Sequence, residues 1–353
     1  MTGMPTLHQQ PAWFGAVMGT SAIGILISLQ SQVLDQQGFD WMVIDWVAIG
    51  LLWVATALAV ILWPRYFRRL ARRHELREEI ADPGHGAMLA TVPAGLLVLS
   101  VGWGAIGPQT LPEPIAMWIA VVLVAAGAII AVGYSAIWAT SISTREVGLA
   151  RIHGGWMIPV VMPLLVPIAL VPIMHYWTNL TLPLLIVGFA FLGIGTMLFL
   201  AIFSMFVIRL ATQAPLPNPM SPSLWIPLAP AGVFGVAVIR LAQSAEASGI
   251  VGPDLVWLAV AMAVMGIGFG LWWALFALLE LQRARSNGGV IFHMGWWGFV
   301  FPIAAMAISI TLVGQVTEFS PLFGIVASVI AVGVWILVSV KTLPSVIAEL
   351  SAT

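Results

Sequence analysis

Residues 158–170 read IPVVMPLLVPIAL, thirteen apolar residues that include three prolines spaced four apart. The run is apolar enough to lie in the hydrocarbon of a bilayer. A proline inside a helix removes one backbone donor and frees the carbonyl four residues earlier. Because lipid cannot satisfy that carbonyl, a proline-rich span has to face protein or a water-filled cavity. The stretch therefore predicts a membrane helix that lines an interior.

The rest of the chain has the composition of a membrane protein. Of its 353 residues, 61% are hydrophobic and 8% are charged, and the mean hydropathy is +1.04. Soluble domains carry about 25% charged residues, and disordered chains are poorer in apolar residues. The chain has no cysteine, which excludes disulfides and thiolate metal sites. With a net charge of −1, nucleic acid is not an expected partner.

Long, nearly uncharged runs predict ten membrane helices, since a bilayer core needs roughly 20 apolar residues per helix. They fill a single transmembrane domain over residues 1–353, with no room for a soluble domain. The predicted helices are 13–31, 43–63, 86–106, 115–140, 153–174, 183–208, 223–243, 254–281, 291–313 and 321–342.

Basic residues predict the orientation, because loops rich in Lys and Arg stay in the cytoplasm. Twelve of the 13 basic residues follow even-numbered segments, six of them between Arg65 and Arg77. The loops after odd segments contain only acidic charges, such as Glu113 and Glu318. We therefore expect both termini in the cytoplasm and a multi-pass protein of the cell (inner or plasma) membrane. The arginines between 65 and 77 also suit contact with anionic lipid or a positive potential that concentrates anions.

The odd segments begin about 70 residues apart, which predicts five repeated helical hairpins. Three of them start on a similar motif: His85-Gly86, His153-Gly154 and His293-Met294-Gly295. Histidine titrates near neutrality, so these three side chains are candidates for pore-side proton coupling. The alternative is that they make interfacial hydrogen bonds.

Prolines separate the two classes of segment. Even segments carry proline only at their ends, whereas odd segments carry it inside. The interior prolines are Pro93, Pro159, Pro163, Pro167, Pro227, Pro230 and Pro302. The fold that follows is all-α: five kinked odd helices surround a central pore, and five straight even helices enclose them. Glycines four apart, Gly15 and Gly19, predict close packing of the first helix.

The ninth segment carries the most specific motif, Phe292-His-Met-Gly-Trp-Trp-Gly-Phe-Val-Phe-Pro302. It resembles the Trp-Trp-x-x-x-Phe-Pro signature of the tellurite-resistance/dicarboxylate transporter family. That family comprises TehA-like proteins, fungal malate permeases and sulfite pumps, and plant guard-cell slow anion channels. Residues 13–20 and 155–161 are also similar to it. The resemblance implies ten helices around a pore, a homotrimer, and transport of small inorganic or organic anions.

The resemblance also implies a gate. In the related channels, the phenylalanine of the Phe-Pro pair projects into the pore, which makes Phe301 the expected gate here. A bulky apolar ring closes a narrow pore by excluding water. Pro302 beside it frees the carbonyl of Gly298.

Arg240 is the basic residue outside the cytoplasmic set. It is a candidate for attracting anions into an outer vestibule. The alternatives are that it reaches the interface with its long side chain or pairs with Glu246. Residue chemistry does not by itself predict anion preference; the family resemblance does.

An enzyme is not expected, because no nucleophile, base and acid cluster at one depth. The single lysine, Lys341, lies at the end of the last segment, which disfavours a retinal protein. No cofactor or metal is predicted. The sequence leaves open whether the protein is a gated anion channel, a proton-coupled carrier of four-carbon dicarboxylates such as malate, or a sulfite or tellurite exporter.

Overall fold

A computed structural model describes residues 11–39, 41–70 and 83–350 of the chain, with the backbone alone at 69, 70, 83–85 and 345–350. Within these ranges the regular structure is helical, and no strand occurs. Ten helices in the described ranges are long and apolar enough to cross a membrane. The prediction of ten membrane helices is confirmed.

We number the ten helices in chain order. They are α1 Phe14–Gln36, α2 Met42–Leu70, α3 Thr91–Ala105, α4 Glu113–Ser143, α5 Ile158–Tyr176, α6 Thr181–Thr212, α7 Leu228–Ala247, α8 Asp254–Ser286, α9 Trp297–Thr317 and α10 Leu322–Leu350. A short helix, Pro83–Leu89, precedes α3.

Odd and even helices occupy different layers, as predicted. In the most apolar window of each span, 61–94% of residues are buried in the odd helices and 22–33% in the even helices. The odd helices contact one another in the order α1, α3, α5, α7, α9 and back to α1, which closes a five-helix ring. Each even helix packs outside this ring against the odd helices before and after it. The chain therefore forms five hairpins around one axis.

The outer helices are longer than their apolar runs. They contain 29–33 residues, or about 45–50 Å at 1.5 Å per residue, against a hydrocarbon core of about 30 Å. Helix α2 consequently includes Pro64, and α10 includes Pro344. The expectation that even helices have prolines only at their ends is wrong for these two, because both helices continue past the apolar run.

The inner helices begin later than predicted, because most start from a 3-10 turn. These turns are Pro11–Trp13 before α1, Gly154–Met157 before α5, Asn218–Trp225 before α7 and Met294–Trp296 before α9. Each contains a tryptophan at or next to its end. This shared lead-in supports the predicted repeat more clearly than the histidines do.

The late starts correct the assignment of several prolines as kinks. Pro93, Pro159 and Pro230 lie in the first turns of α3, α5 and α7. The first four amides of a helix have no partner within it, so a proline there breaks no hydrogen bond. Pro163 and Pro302 lie inside α5 and α9. Helix α5 holds two further interior prolines, Pro167 and Pro172.

Candidate functional site

Two cavities lie on the axis of the ring, because all five inner helices line each of them. The basic-end cavity opens where the inner helices begin and has a volume of about 50 Å³. Each inner helix contributes to its lining; one residue from each, in the order α1, α3, α5, α7 and α9, is Met18, Thr91, Val161, Ala229 and Phe301. The acidic-end cavity opens where the inner helices end and has a volume of about 320 Å³. Its equivalent lining residues are Ile25, Val101, Ile168, Val236 and Ile308.

The two cavities are separated by a similar length of helix on four of the five inner helices. The nearest lining residues of the two cavities are seven positions apart on α1 (Met18 and Ile25), α5 and α7, and six apart on α9 (Pro302 and Ile308). Seven residues of α-helix span about 10 Å. We call this the central layer; it includes 19–24 on α1 and 303–307 on α9. A molecule moving along the axis has to cross it.

Phe301 lies at the boundary between the basic-end cavity and the central layer. Its side chain is 7% exposed and lines the cavity together with Pro302, Gly298 and Met18. Pro302 has no amide, so the helical carbonyl of Gly298 lacks its usual donor. The residue predicted for the gate therefore lines a cavity that all five inner helices share.

Glycines bring α9 into close contact with both neighbouring inner helices. A Cβ at Gly19 of α1 would lie 2.9 Å from Cγ1 of Val300. A Cβ at Gly15 would lie 2.9 Å from Cβ of Trp297. On the other side, a Cβ at Gly232 of α7 would lie 2.6 Å from backbone atoms of α9 at residue 305. The predicted close packing at Gly15 and Gly19 is confirmed, and it fixes the helix that carries Phe301.

The structure gives two of the predicted histidines a capping role. His153 is the N-cap of the turn before α5, and its Nδ1 accepts the amide of Gly155 at 3.1 Å. His293 caps the turn before α9 in the same way, with Nδ1 3.0 Å from the amide of Gly295. Since Nδ1 of His293 accepts a hydrogen bond, Nε2 carries the proton and donates to the carbonyl of Pro219 at 2.6 Å. The side chain of His85 lies outside the described residues.

Both caps require glycine two residues after the histidine. A Cβ at Gly155 or Gly295 would lie 2.6 or 2.5 Å from Cε1 of the capping ring. The motif His-x-Gly is therefore a helix-start motif, and its repetition before α5 and α9 follows from the repeated fold. Neither ring is among the residues lining the basic-end cavity, whereas Gly295 is.

Arg240 lines the acidic-end cavity. Its Nη1 donates to Oε1 of Gln243 at 3.2 Å. The alternative pairing with Glu246 does not occur among the described residues, and Glu246 is exposed. His175, in the last turn of α5, lines the same cavity. The Oγ of Ser244 lies 3.5 Å from Nε2 of His175 and donates to the carbonyl of Arg240 at 2.9 Å.

Sequence reasoning missed His175. The histidines with a repeated motif lie at the starts of odd segments, whereas this one lies at the end of segment five. A signal was present, because His175 and Arg240 both lie near the ends of odd segments, which the hairpin topology brings to the same side. Among the described residues, no group of three or more His, Asp or Glu side chains is placed to hold a metal ion.

Comparison with known proteins agrees with this arrangement. Residues 8–343 match the sequence profile of the family described as SLAC1, voltage-dependent anion channel. An uncharacterized transporter of Methanocaldococcus jannaschii is 28% identical over 315 residues, which cover 88% of this chain and 85% of the relative. The sulfite efflux pump of Trichophyton rubrum is 24% identical over 359 residues, which cover 94% and 89%. The chain belongs to the SLAC1 family of membrane anion transporters.

Proposed function

We propose that the protein is an anion channel whose path follows the ring axis and is closed by Phe301. One observation carries the proposal: two cavities lined by all five inner helices meet a central layer of about 10 Å, and Phe301 lies at its boundary. The anion passes from one cavity to the other when the Phe301 ring moves away from the axis.

The closed state follows from the chemistry of the layer. An anion that enters a narrow apolar passage loses its water and finds no ligand in exchange. Phe301 supplies the apolar barrier, and the lining of the basic-end cavity around it is largely Met, Val, Ile and Ala side chains. Fixed positive charge in the layer would bind an anion too tightly to release it, so a nearly uncharged path suits conduction.

The packing around α9 favours a gate that moves by side-chain rotation. Gly19 and Gly232 hold α9 in close contact with α1 and α7. Moving the whole helix would break both contacts, whereas a change of χ1 at Phe301 leaves them intact. The cost of a rotamer change is small, and side chains change rotamer much faster than helices shift.

A flux measurement on liposomes tests the gate. We expect Phe301→Ala to raise chloride efflux at least tenfold, since lowering a barrier by about 1.4 kcal/mol has that effect. Phe299→Ala is the matched control. Phe299 is also 7% exposed, but its ring contacts those of Trp225 and Trp296. Equal efflux from Phe301→Ala and Phe299→Ala, at equal protein content, would remove the gate assignment.

Sulfite export is the second candidate function. Three fungal sulfite efflux pumps match this chain over 94% of its length. Sulfite, like nitrate, is a small oxyanion and would use the same axial path. A proton-coupled carrier of four-carbon dicarboxylates stays the further alternative.

A substrate panel separates these candidates. Liposomes containing the wild-type protein are compared for efflux of chloride, nitrate, sulfite and malate, with and without a pH gradient. A channel gives flux of several small anions that does not need the gradient. Malate flux that requires an inward proton gradient would favour the carrier and overturn the channel.

We also propose a homotrimer in the cell membrane, with both termini in the cytoplasm. Support comes from the family resemblance for the trimer and from the distribution of basic residues for the orientation. The outer helices expose large apolar side chains, among them Val122, Met197 and Met265, which fit contact with lipid or a neighbouring subunit.

A further inference from the structure

The acidic-end cavity contains charged and titratable side chains that the gate does not use. Its described lining includes Glu113 at the start of α4, His175 and Tyr176 at the end of α5, and Arg240 on α7. Neither α3 nor α6, which also pack against α5, contributes a charged group to this lining. An anion on the axial path would therefore come close to charged side chains in this cavity.

Arg240 is a cation with unused donors. It is partly buried, and its hydrogen-bond partner among the described residues is the neutral side chain of Gln243. A guanidinium has five N–H donors in a planar fork. One contact to an amide oxygen leaves most of them, and the whole positive charge, available to the cavity. This arrangement fits two oxygens of one oxyanion.

His175 shares the cavity with Arg240, whose charge opposes a second positive charge there. His175 itself lies in the last turn of α5, where the helix dipole favours a cation. This is the reverse of His153 and His293, which lie at helix starts. Ser244 links the two groups, since its Oγ contacts Nε2 of His175 and donates to the carbonyl of Arg240.

The geometry points to an oxyanion-binding site in the acidic-end cavity, formed by Arg240 and His175. Anion binding at this site is coupled to protonation of His175. The inference rests on the proposed function and names the residues that would receive the transported anion. Two positive charges in one cavity repel each other, and an anion between them replaces that repulsion with attraction. Proton and anion therefore favour each other's binding. Gln32 and Ser28 on α1 line the same cavity and offer neutral donors.

The carboxylate of Glu113 repels a bound anion only weakly. It is exposed and lies in the first turn of α4, where water screens it and the helix dipole favours a carboxylate. The net field of the cavity wall is then set by Arg240 and by the protonation state of His175.

The test measures the concentration of nitrate that gives half-maximal flux into liposomes, for protein whose acidic-end cavity faces the added anion. Nitrate is chosen because it does not titrate. Measurements are made at about pH 5.5 and about pH 7.5, on either side of the usual histidine range. Arg240→Gln should raise the half-maximal concentration about tenfold, as expected for loss of a charge-assisted hydrogen bond. Arg240→Lys, which keeps the charge but loses the fork, should give an intermediate value.

His175→Gln should remove the pH dependence while keeping the contribution of Arg240. Arg285→Gln, an exposed arginine at the opposite end, and Glu246→Gln, an exposed carboxylate outside the cavity lining, are the charge-matched controls. Wild-type half-maximal concentrations in Arg240→Gln at both pH values would overturn the site while leaving anion transport intact. No nitrate or chloride flux through either the wild-type protein or Phe301→Ala would instead overturn the proposed function. If Arg240→Gln does not fold, the comparison rests on Arg240→Lys and His175→Gln, and wild-type behaviour of both overturns the site.

Discussion

Histidines have opposite electrostatic surroundings at the two ends of the inner helices. His153 and His293 lie at helix starts and accept an amide through Nδ1, so a proton on that nitrogen would break the cap. His175 lies at a helix end inside the acidic-end cavity. The sequence pattern located the first two through their spacing with glycine, but it did not give their role. That role depends on a 3-10 turn, which hydropathy does not reveal.

The capping role predicts a stability change at His293. We expect His293→Ala to lower the free energy of unfolding by about 1 kcal/mol, the usual effect of losing an N-cap. His293→Asn should retain most of the stability, because an Asn side chain also accepts an N-terminal amide. Thermal unfolding in detergent measures both variants. Unchanged thermal stability of His293→Ala would contradict the capping role.

Glycines of three neighbouring helices pack closely on α9. Gly15 and Gly19 pack on it from α1, Gly232 packs on it from α7, and Gly270 of α8 would meet Met306 if it carried a Cβ. The apolar runs predicted the existence of every span, and the glycine spacing predicted the contact of α1. The starts of the inner helices and the ends of the outer helices could not be predicted from hydropathy, because 3-10 turns and interfacial extensions depend on hydrogen bonding and not on apolar content.

A substitution at Gly232 tests how tightly α9 is held. We expect Gly232→Ala to destabilise the protein by about 1–3 kcal/mol, the usual range for overpacking, because its Cβ would lie 2.6 Å from the backbone of α9. The matched control is Gly268→Ala on α8, where a Cβ would meet nothing within 4 Å. Alanine is the better helix former by about 1 kcal/mol, so the control should be neutral or stabilising. Equal thermal stability of the two variants would show that the α7–α9 contact is loose.

At the scale of the whole molecule, the alternation of inner and outer helices was predictable from the sequence. The position of prolines is not what distinguishes the two classes, because both contain interior prolines. Pro163 and Pro302 lie inside inner helices, whereas Pro64 and Pro344 lie inside outer ones. What separates the layers is burial, at 61–94% against 22–33%. That His175 and Arg240 line one cavity could be seen only from the arrangement of the inner helices, because the two residues are 65 positions apart in the chain.

The orientation is testable because the chain contains no cysteine. Ser248→Cys and Ser286→Cys each introduce one thiol at an exposed position, after α7 and at the end of α8. A membrane-impermeant maleimide added to intact cells should label Ser248→Cys at once and Ser286→Cys only after permeabilisation. The reverse pattern would place the basic end outside the cell.

The axial path itself is tested by the single-channel conductance of a size series at one position. We expect the conductance to decrease as the side chain at residue 301 becomes larger, so that Ala gives the highest value, followed by Leu, the native Phe and Trp. Each larger apolar side chain leaves less room for water on the axis. The same four residues at position 299 should give one conductance, since that ring contacts Trp225 and Trp296. A conductance that does not depend on side-chain size at residue 301 would contradict an anion path past Phe301.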